Sequence, residues 1–256
     1  MSETPNKKTP GKRPRRRLSR QEESRRRLLR GGVVTAFILA LQPLATWVSE
    51  KLGIQRLRPP GALEEATFLG ACIKCGQCVQ VCPVEAIRLA DLDDGLGHGA
   101  PFIEPRDQAC DFSCDALSCI LACPTGALSH AIGAKEEVAI GVAELTRPEA
   151  CRARRGRGFR GAARGRKFRG RLRYEEVDRW IPQPVKDHEY DAPLCDLCVR
   201  ECPIGATALR LEPLADGRGA TPVVGDACVG CGVCEMICPE EPTCIEIIPA
   251  VAGGVA

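Results

Sequence analysis

The sequence predicts an α+β chain of two tandem modules, and three observations predict it. A cysteine motif closing on Cys-Pro occurs four times in 256 residues. Each copy is followed by residues that read as a short helical turn and then a strand: VEAIRL, TGALSH, IGATAL and EEPTCIEII. Twenty-seven residues separate the first copy from the second and twenty-five the third from the fourth. Turn-forming Asp93-Asp94-Gly95 and Asp216-Gly217-Arg218-Gly219 lie inside those intervals.

The first copy is ACIKCGQCVQVCP, with Cys72, Cys75, Cys78 and Cys82 before Pro83. Its spacing, C-x2-C-x2-C-x3-C-P, is the run that holds an iron–sulfur cluster and lends its fourth cysteine to a second one. The fourth copy repeats that spacing at Cys228, Cys231, Cys234 and Cys238. The second is wider, at Cys110, Cys114, Cys119 and Cys123. The third has Cys195, Cys198 and Cys202, with Ala192 where a first cysteine would stand. Three close cysteines on a tight loop supply one face of a cubic cluster, and Gly76 and Gly232 let that loop curve. Backbone N–H groups of such a loop can point at the anionic cluster. Proline after the fourth cysteine leaves no unpaired N–H there and turns the chain away.

Two interlocked motifs then make one ferredoxin-like unit. The intervals favour pairing the first motif with the second and the third with the fourth. The rival pairing, first with fourth and second with third, uses the same ligands. The expected organisation is an α+β fold of two ferredoxin-like 2[4Fe-4S] modules in tandem, at residues 71–150 and 151–256. A linker at 51–70 and an export signal or membrane anchor at 1–50 precede them. Structural zinc ranks far below iron–sulfur, because paired C-x2-C knuckles would leave the third cysteine of each run unused. Seventeen cysteines cannot all pair as disulfides within one chain.

The third motif lacks one ligand, and Cys151 and Cys244 remain to supply it. Cys151 precedes the motif, as a displaced first cysteine should, and is preferred. Cys244 stands where the other copies have Ala86, Ala127 and Ala206, which reads as a small thiol packed near a cluster.

Charge is unevenly spread. Residues 1–30 carry twelve Lys/Arg against three acids, and residues 152–173 carry eleven and none. The rest of a chain with formal net charge +3 is therefore acidic. Such asymmetry speaks of partners and export rather than fold. The basic insertion reads either as a solvated loop or as a docking surface for an acidic partner or for the chain's own acidic body. RNA binding ranks well behind both, so no nucleic-acid partner is expected. His98, His130 and His188 have no ligand spacing, and no catalytic constellation emerges. Tyr174 and Trp180 read as packing residues.

Ser24 to Arg30 reads SRRRLLR and runs into the apolar stretch Val33 to Val48, broken by Gln42 and Pro43. This resembles a twin-arginine export signal. A basic tail binding nucleic acid or lipid is the alternative. Export of folded protein suits clusters that are assembled with folding in a reducing compartment. No clean A-x-A site follows, so an uncleaved anchor that keeps the protein at the membrane stays open beside cleavage.

Together SRRRLLR, RLRPPGAL (Arg56 to Leu63), ACIKCGQCVQVCP, ACPTGAL, CDLCVRECP and CVGCGVCEMICP resemble the ferredoxin-type proteins of the NapG/MauM family. The resemblance implies a periplasmic or membrane-associated electron carrier, not an enzyme, with four [4Fe-4S] clusters. It implies a membrane quinol dehydrogenase-type ferredoxin partner as donor. A periplasmic oxidoreductase of nitrate reductase or methylamine dehydrogenase type would be the acceptor. The family's isolated cysteine ahead of the third motif matches Cys151. The wide second motif, the long insertion and Cys244 depart from the family pattern. Two other readings stand beside it: a subunit of a formate dehydrogenase- or hydrogenase-type complex, and an assembly factor whose clusters only hold the fold.

Overall fold

The computed structural model describes residues 56–91, 97–114, 116–164, 185, 188–215 and 217–250. Residues 24–48, the Asp93-Asp94-Gly95 turn, Tyr174, Trp180 and the basic insertion beyond residue 164 lie outside the described residues. Among the described residues no helix is long and apolar enough to cross a membrane.

Helices are short and set by the cysteine loops. Helix α1 (Glu65–Ala71) leads into the first motif. The carboxylate of Glu64 accepts from the backbone N–H of Ala66 and Thr67, both at 3.2 Å, which satisfies two orphan donors of its first turn. Single turns follow inside each motif: α2 (Gln77–Gln80), α3 (Ser118–Leu121), α4 (Leu197–Arg200) and α5 (Val233–Ile237). Each carries the third cysteine of a full motif or its counterpart, Cys198, in the short one. The helical turn therefore lies before the Cys-Pro and not after it, as the sequence suggested. A residue preceding proline is biased away from the helical region, so the turn must end there.

Strands pair in twos. Strands β1 (Ile87–Leu89) and β2 (Pro101–Ile103) form the hairpin of the first module, with Ile87 opposite Ile103. Strand β3 (Gly141–Glu144) follows, then β4 (Phe159–Ala162) and β5 (Glu189–Ala192), which pair with each other. Strands β6 (Leu209–Pro213) and β7 (Ala220–Val224) form the second module's hairpin. The last strand, β8 (Glu246–Pro249), pairs antiparallel with β3, Gly141 opposite Pro249.

The β3–β8 pairing joins residues ahead of Cys151 to the end of the second module. Residues 141–150 fell in the first module by sequence, yet β3 closes the second. The first module is closed the same way by residues expected to be linker. Leu57 bridges Ile103, Ala62 bridges Leu128, and Leu63 N–H donates to the Ala127 carbonyl at 3.1 Å. The physical reason is common to both. The backbone after the last Cys-Pro has groups to pair, and the chain just ahead of the first cysteine pairs them.

RLRPPGAL acquires its role here. Arg58 is buried and donates to Glu65 at 2.8 Å and to the Pro101 carbonyl at 2.9 Å, with its guanidinium over the Phe68 ring. Gly61 takes φ +76° against α3, where a Cβ would sit 2.6 Å from Ile120 Cδ1. Phe68 and Ile120 lie in the same buried core, which continues through both modules to Ile245 and Ile247.

The modules join through the second and fourth motifs. Cys110 N–H donates to the Cys231 carbonyl at 3.1 Å. Arg106 reaches across to the C-terminal end of α5 and donates to the carbonyls of Glu235 (2.9 Å), Met236 (3.2 Å), Cys238 (2.8 Å) and Glu240 (3.2 Å). These are carbonyls that the end of a helix leaves without partners. Arg106→Leu is therefore expected to destabilise the protein by about 1.5–3 kcal/mol, the range for hydrogen bonds from a charged donor. Anaerobic thermal unfolding of the two proteins side by side measures it.

Candidate metal centres

The sixteen sequence-predicted cysteines gather into four quartets. The first is Cys72, Cys75, Cys78 and Cys123, around a cavity also lined by Phe68, Ala127 and Leu128. The second is Cys82, Cys110, Cys114 and Cys119, whose charges act on one another. The third is Cys151, Cys195, Cys198 and Cys238. The fourth is Cys202, Cys228, Cys231 and Cys234. Each motif thus supplies its leading cysteines to one quartet and its last to its partner's. The pairing of first with second and third with fourth holds, and the rival pairing does not.

Loop conformation explains how the quartets close. In the first motif Lys74 and Gly76, flanking Cys75, take φ +57° and +73°; in the fourth Gly230 and Gly232 take +69° and +90°. Two left-handed residues around the middle cysteine curl the loop so that three thiols face inward. The second motif keeps both positions with non-glycine residues, Phe112 at φ +54° and Leu117 at +47°. Its three additional residues fall between them, around Cys114. The wider spacing enlarges the loop without losing the curl. Nothing in the sequence marked Phe112 or Leu117 for this, since L-residues seldom adopt it.

The third motif completes itself across the insertion. Strands β4 and β5 pair Phe159 with Ala192, and Cys195 N–H donates to the Arg157 carbonyl at 3.0 Å. That neck returns the chain beside Cys151 despite the residues between. The described part of the insertion lies on the chain's own body. Arg152 pairs with Glu240 at 2.6 Å, and Arg164 donates to the Met236 carbonyl at 3.1 Å.

Electrostatics decide what the quartets suit. All seventeen cysteines are free of disulfides. Burial pushes the thiols of Cys78 and Cys195 up to about 11 and that of Cys231 to about 12. Cys110, Cys119, Cys198 and Cys234 are pushed higher by burial, and neighbouring cysteines add to it. Converging thiols in an apolar shell become thiolates only beside strong positive charge. A single zinc ion would draw four sulfurs to about 3.8 Å of one another, from its ~2.3 Å bonds. Among the described residues no group of His, Cys, Asp or Glu is arranged to hold a single metal ion. Four thiols line one cavity in the first, third and fourth quartets, a donor set that suits an iron–sulfur cluster.

Backbone donors face the sulfurs. Ala86 N–H points at Cys82 Sγ at 3.3 Å, Leu128 N–H at Cys123 Sγ at 3.4 Å and Ala143 N–H at Cys228 Sγ at 3.5 Å. Such contacts orient ligand atoms and favour their anionic form.

The comparisons agree with this geometry. The 4Fe-4S dicluster domain family matches residues 71–127 and 193–241. The ferredoxin-type protein NapG of Escherichia coli is 35% identical over 243 residues, 91% of this chain and 89% of the relative. The methylamine utilization ferredoxin-type protein MauM of Methylorubrum extorquens is 34% identical over 237 residues, 90% of this chain and 91% of the relative. The chain belongs to the NapG/MauM family of ferredoxin-type proteins. Its two dicluster domains make four [4Fe-4S] clusters per chain. NapG of Haemophilus influenzae is 32% identical over 236 residues, 88% of this chain and 71% of the relative. No solved structure matches the chain at a significant level.

The loop conformations are testable in a pair. Gly230→Ala puts a Cβ 2.3 Å from the Gly141 backbone as well as straining φ. It is expected to cost more than the roughly 1–2 kcal/mol of a left-handed L-residue. Lys74→Gly, at the matching position of the first motif, removes that strain and is expected not to destabilise. Anaerobic melting temperatures should move in that order.

Proposed function

We propose that this protein is an exported electron carrier whose sixteen cysteines ligate its four clusters. In this reading it passes electrons from a membrane quinol-oxidising ferredoxin partner toward a periplasmic oxidoreductase of nitrate reductase or methylamine dehydrogenase type. The clusters supply one-electron redox chemistry; the chain binds, spaces and shields them. No bond in a substrate changes, so the protein is a relay and not itself an enzyme.

The observation that carries the reading is the continuity of the quartets. Helix α2 separates Cys78 of the first quartet from Cys82 of the second by a single turn. The Cys110–Cys231 hydrogen bond ties the second to the fourth. Helix α4 leads from Cys198 of the third to Cys202 of the fourth. The order is first, second, fourth, third. At one end Cys75 is exposed, and Ile73 (64% exposed) and Leu121 (68%) flank the first quartet's cysteines. That end suits a redox partner that docks through apolar contact.

Export rests on SRRRLLR and on its family's resemblance. Arg25→Lys with Arg26→Lys is expected to hold the protein in the cytoplasm, and fractionation checks it. For the clusters, anaerobically purified protein should contain about sixteen irons and as many sulfides. Cys151→Ala should lose about four of each. Reduction of these clusters by the quinol-oxidising partner, and reoxidation by the terminal oxidoreductase, supports the relay. Clusters that no donor can cycle would leave an assembly role instead.

A further inference from the structure

The third quartet has a fifth thiol. Cys244 lines the same cavity as Cys151, Cys195, Cys198 and Cys238 and is 4% exposed. Its Sγ lies 3.5 Å from Cys238 Sγ. None of the other three quartets has such a neighbour, since these five and the remaining twelve account for every cysteine of the chain.

Backbone geometry says which of the five is the extra one. The Cys244 carbonyl accepts from Arg147 N–H at 3.2 Å, as the Ala127 carbonyl accepts from Leu63 N–H at 3.1 Å. In both modules this is the residue where the chain after the last Cys-Pro meets the chain ahead of the first cysteine. Ala127 lines the first quartet's cavity; Cys244 lines the third's. Cys244 thus holds the place of an alanine wall with a sulfur added. Cys151 stands with Cys195 and Cys198 as Cys72 stands with Cys75 and Cys78.

Resting on the cluster reading above, we propose that Cys244 is not a ligand but a hydrogen-bond donor that raises the potential of the third cluster. Four ligand sulfurs committed to iron carry no proton, so Cys244 alone has one to give, to Cys238. Donation to a ligand sulfur withdraws charge and favours the reduced, more negative state. Arg152 and Glu240 also line the cavity but pair with each other at 2.6 Å, so the added thiol is what distinguishes this site. The third cluster ends the series, so a raised potential there makes that end the resting place of the electron.

The test is an anaerobic redox titration, followed by EPR, of the full chain and of Cys244→Ala and Cys244→Ser, with iron and sulfide counted on each. Cys244→Ala is expected to keep the wild-type iron, lower one midpoint potential and leave three unmoved. Cys244→Ser, whose hydroxyl also donates, should restore that midpoint in part. Unchanged midpoints in Cys244→Ala overturn the inference. So does loss of about four irons from Cys244→Ala while Cys151→Ala keeps them all, which would make Cys244 the ligand. Unmodified protein without iron would instead overturn the cluster reading itself.

Discussion

The fold depends on bringing thiols together where water cannot stabilise their charge. Most quartet sulfurs are buried or half-buried, and their desolvation opposes the anionic form. Sixteen such groups are a poor core for a chain with only 4% aromatic residues. They become a good one when inorganic iron and sulfide fill the space between them, because binding and folding then share one free energy. Short helices, two-stranded sheets and left-handed loop residues follow from the same demand. Each element is as long as it must be to aim one or two sulfurs and no longer.

What could be read beforehand divides along that line. The candidate ligands and their pairing were legible because Cys-x2-Cys spacing and the intervals between motifs encode where thiols must converge. That Cys151 would stand with the third motif's cysteines was legible, although the β4–β5 neck that returns the chain to it was not. The closing segments, Leu57 to Leu63 and β3, were not legible, because they carry no cysteine and are too short for periodicity to show. Phe112 and Leu117 escaped for a different reason. Their left-handed conformation is imposed by the loop they sit in, and their identities argue against it.

Basic residues illustrate how a charge run can be split between roles. The insertion read as either solvated or docking, and its described part is docked on the chain itself, through Arg152 and Glu240 and through Arg164 and the end of α5. Arg106 serves the same helix end from the other module. Cations thus collect around the carbonyls just before Cys238, where the helix terminus leaves them unpaired. The acidic body is held together at the point where its own backbone is most negative.

Symmetry between the modules makes their differences informative. Both close with the chain ahead of the first cysteine against the chain after the last Cys-Pro, by the Ala62–Leu128 bridge in one and by β3 on β8 in the other. In each, a motif with left-handed residues on both sides of its middle cysteine curls inward, the first motif in one and the fourth in the other. They differ where each faces something other than its own cluster. The first motif exposes Cys75 and uses Lys74 in a left-handed position that open surface tolerates. At the fourth motif the matching residue must be Gly230, because the Gly141 backbone lies where a side chain would begin. Gly232 likewise faces Pro105 and Ala109 of the other module. A side chain at either position would push β3 or the second motif away, and with it the thiols of the second quartet from those of the fourth. The glycines therefore let the second and fourth motifs pack directly on each other.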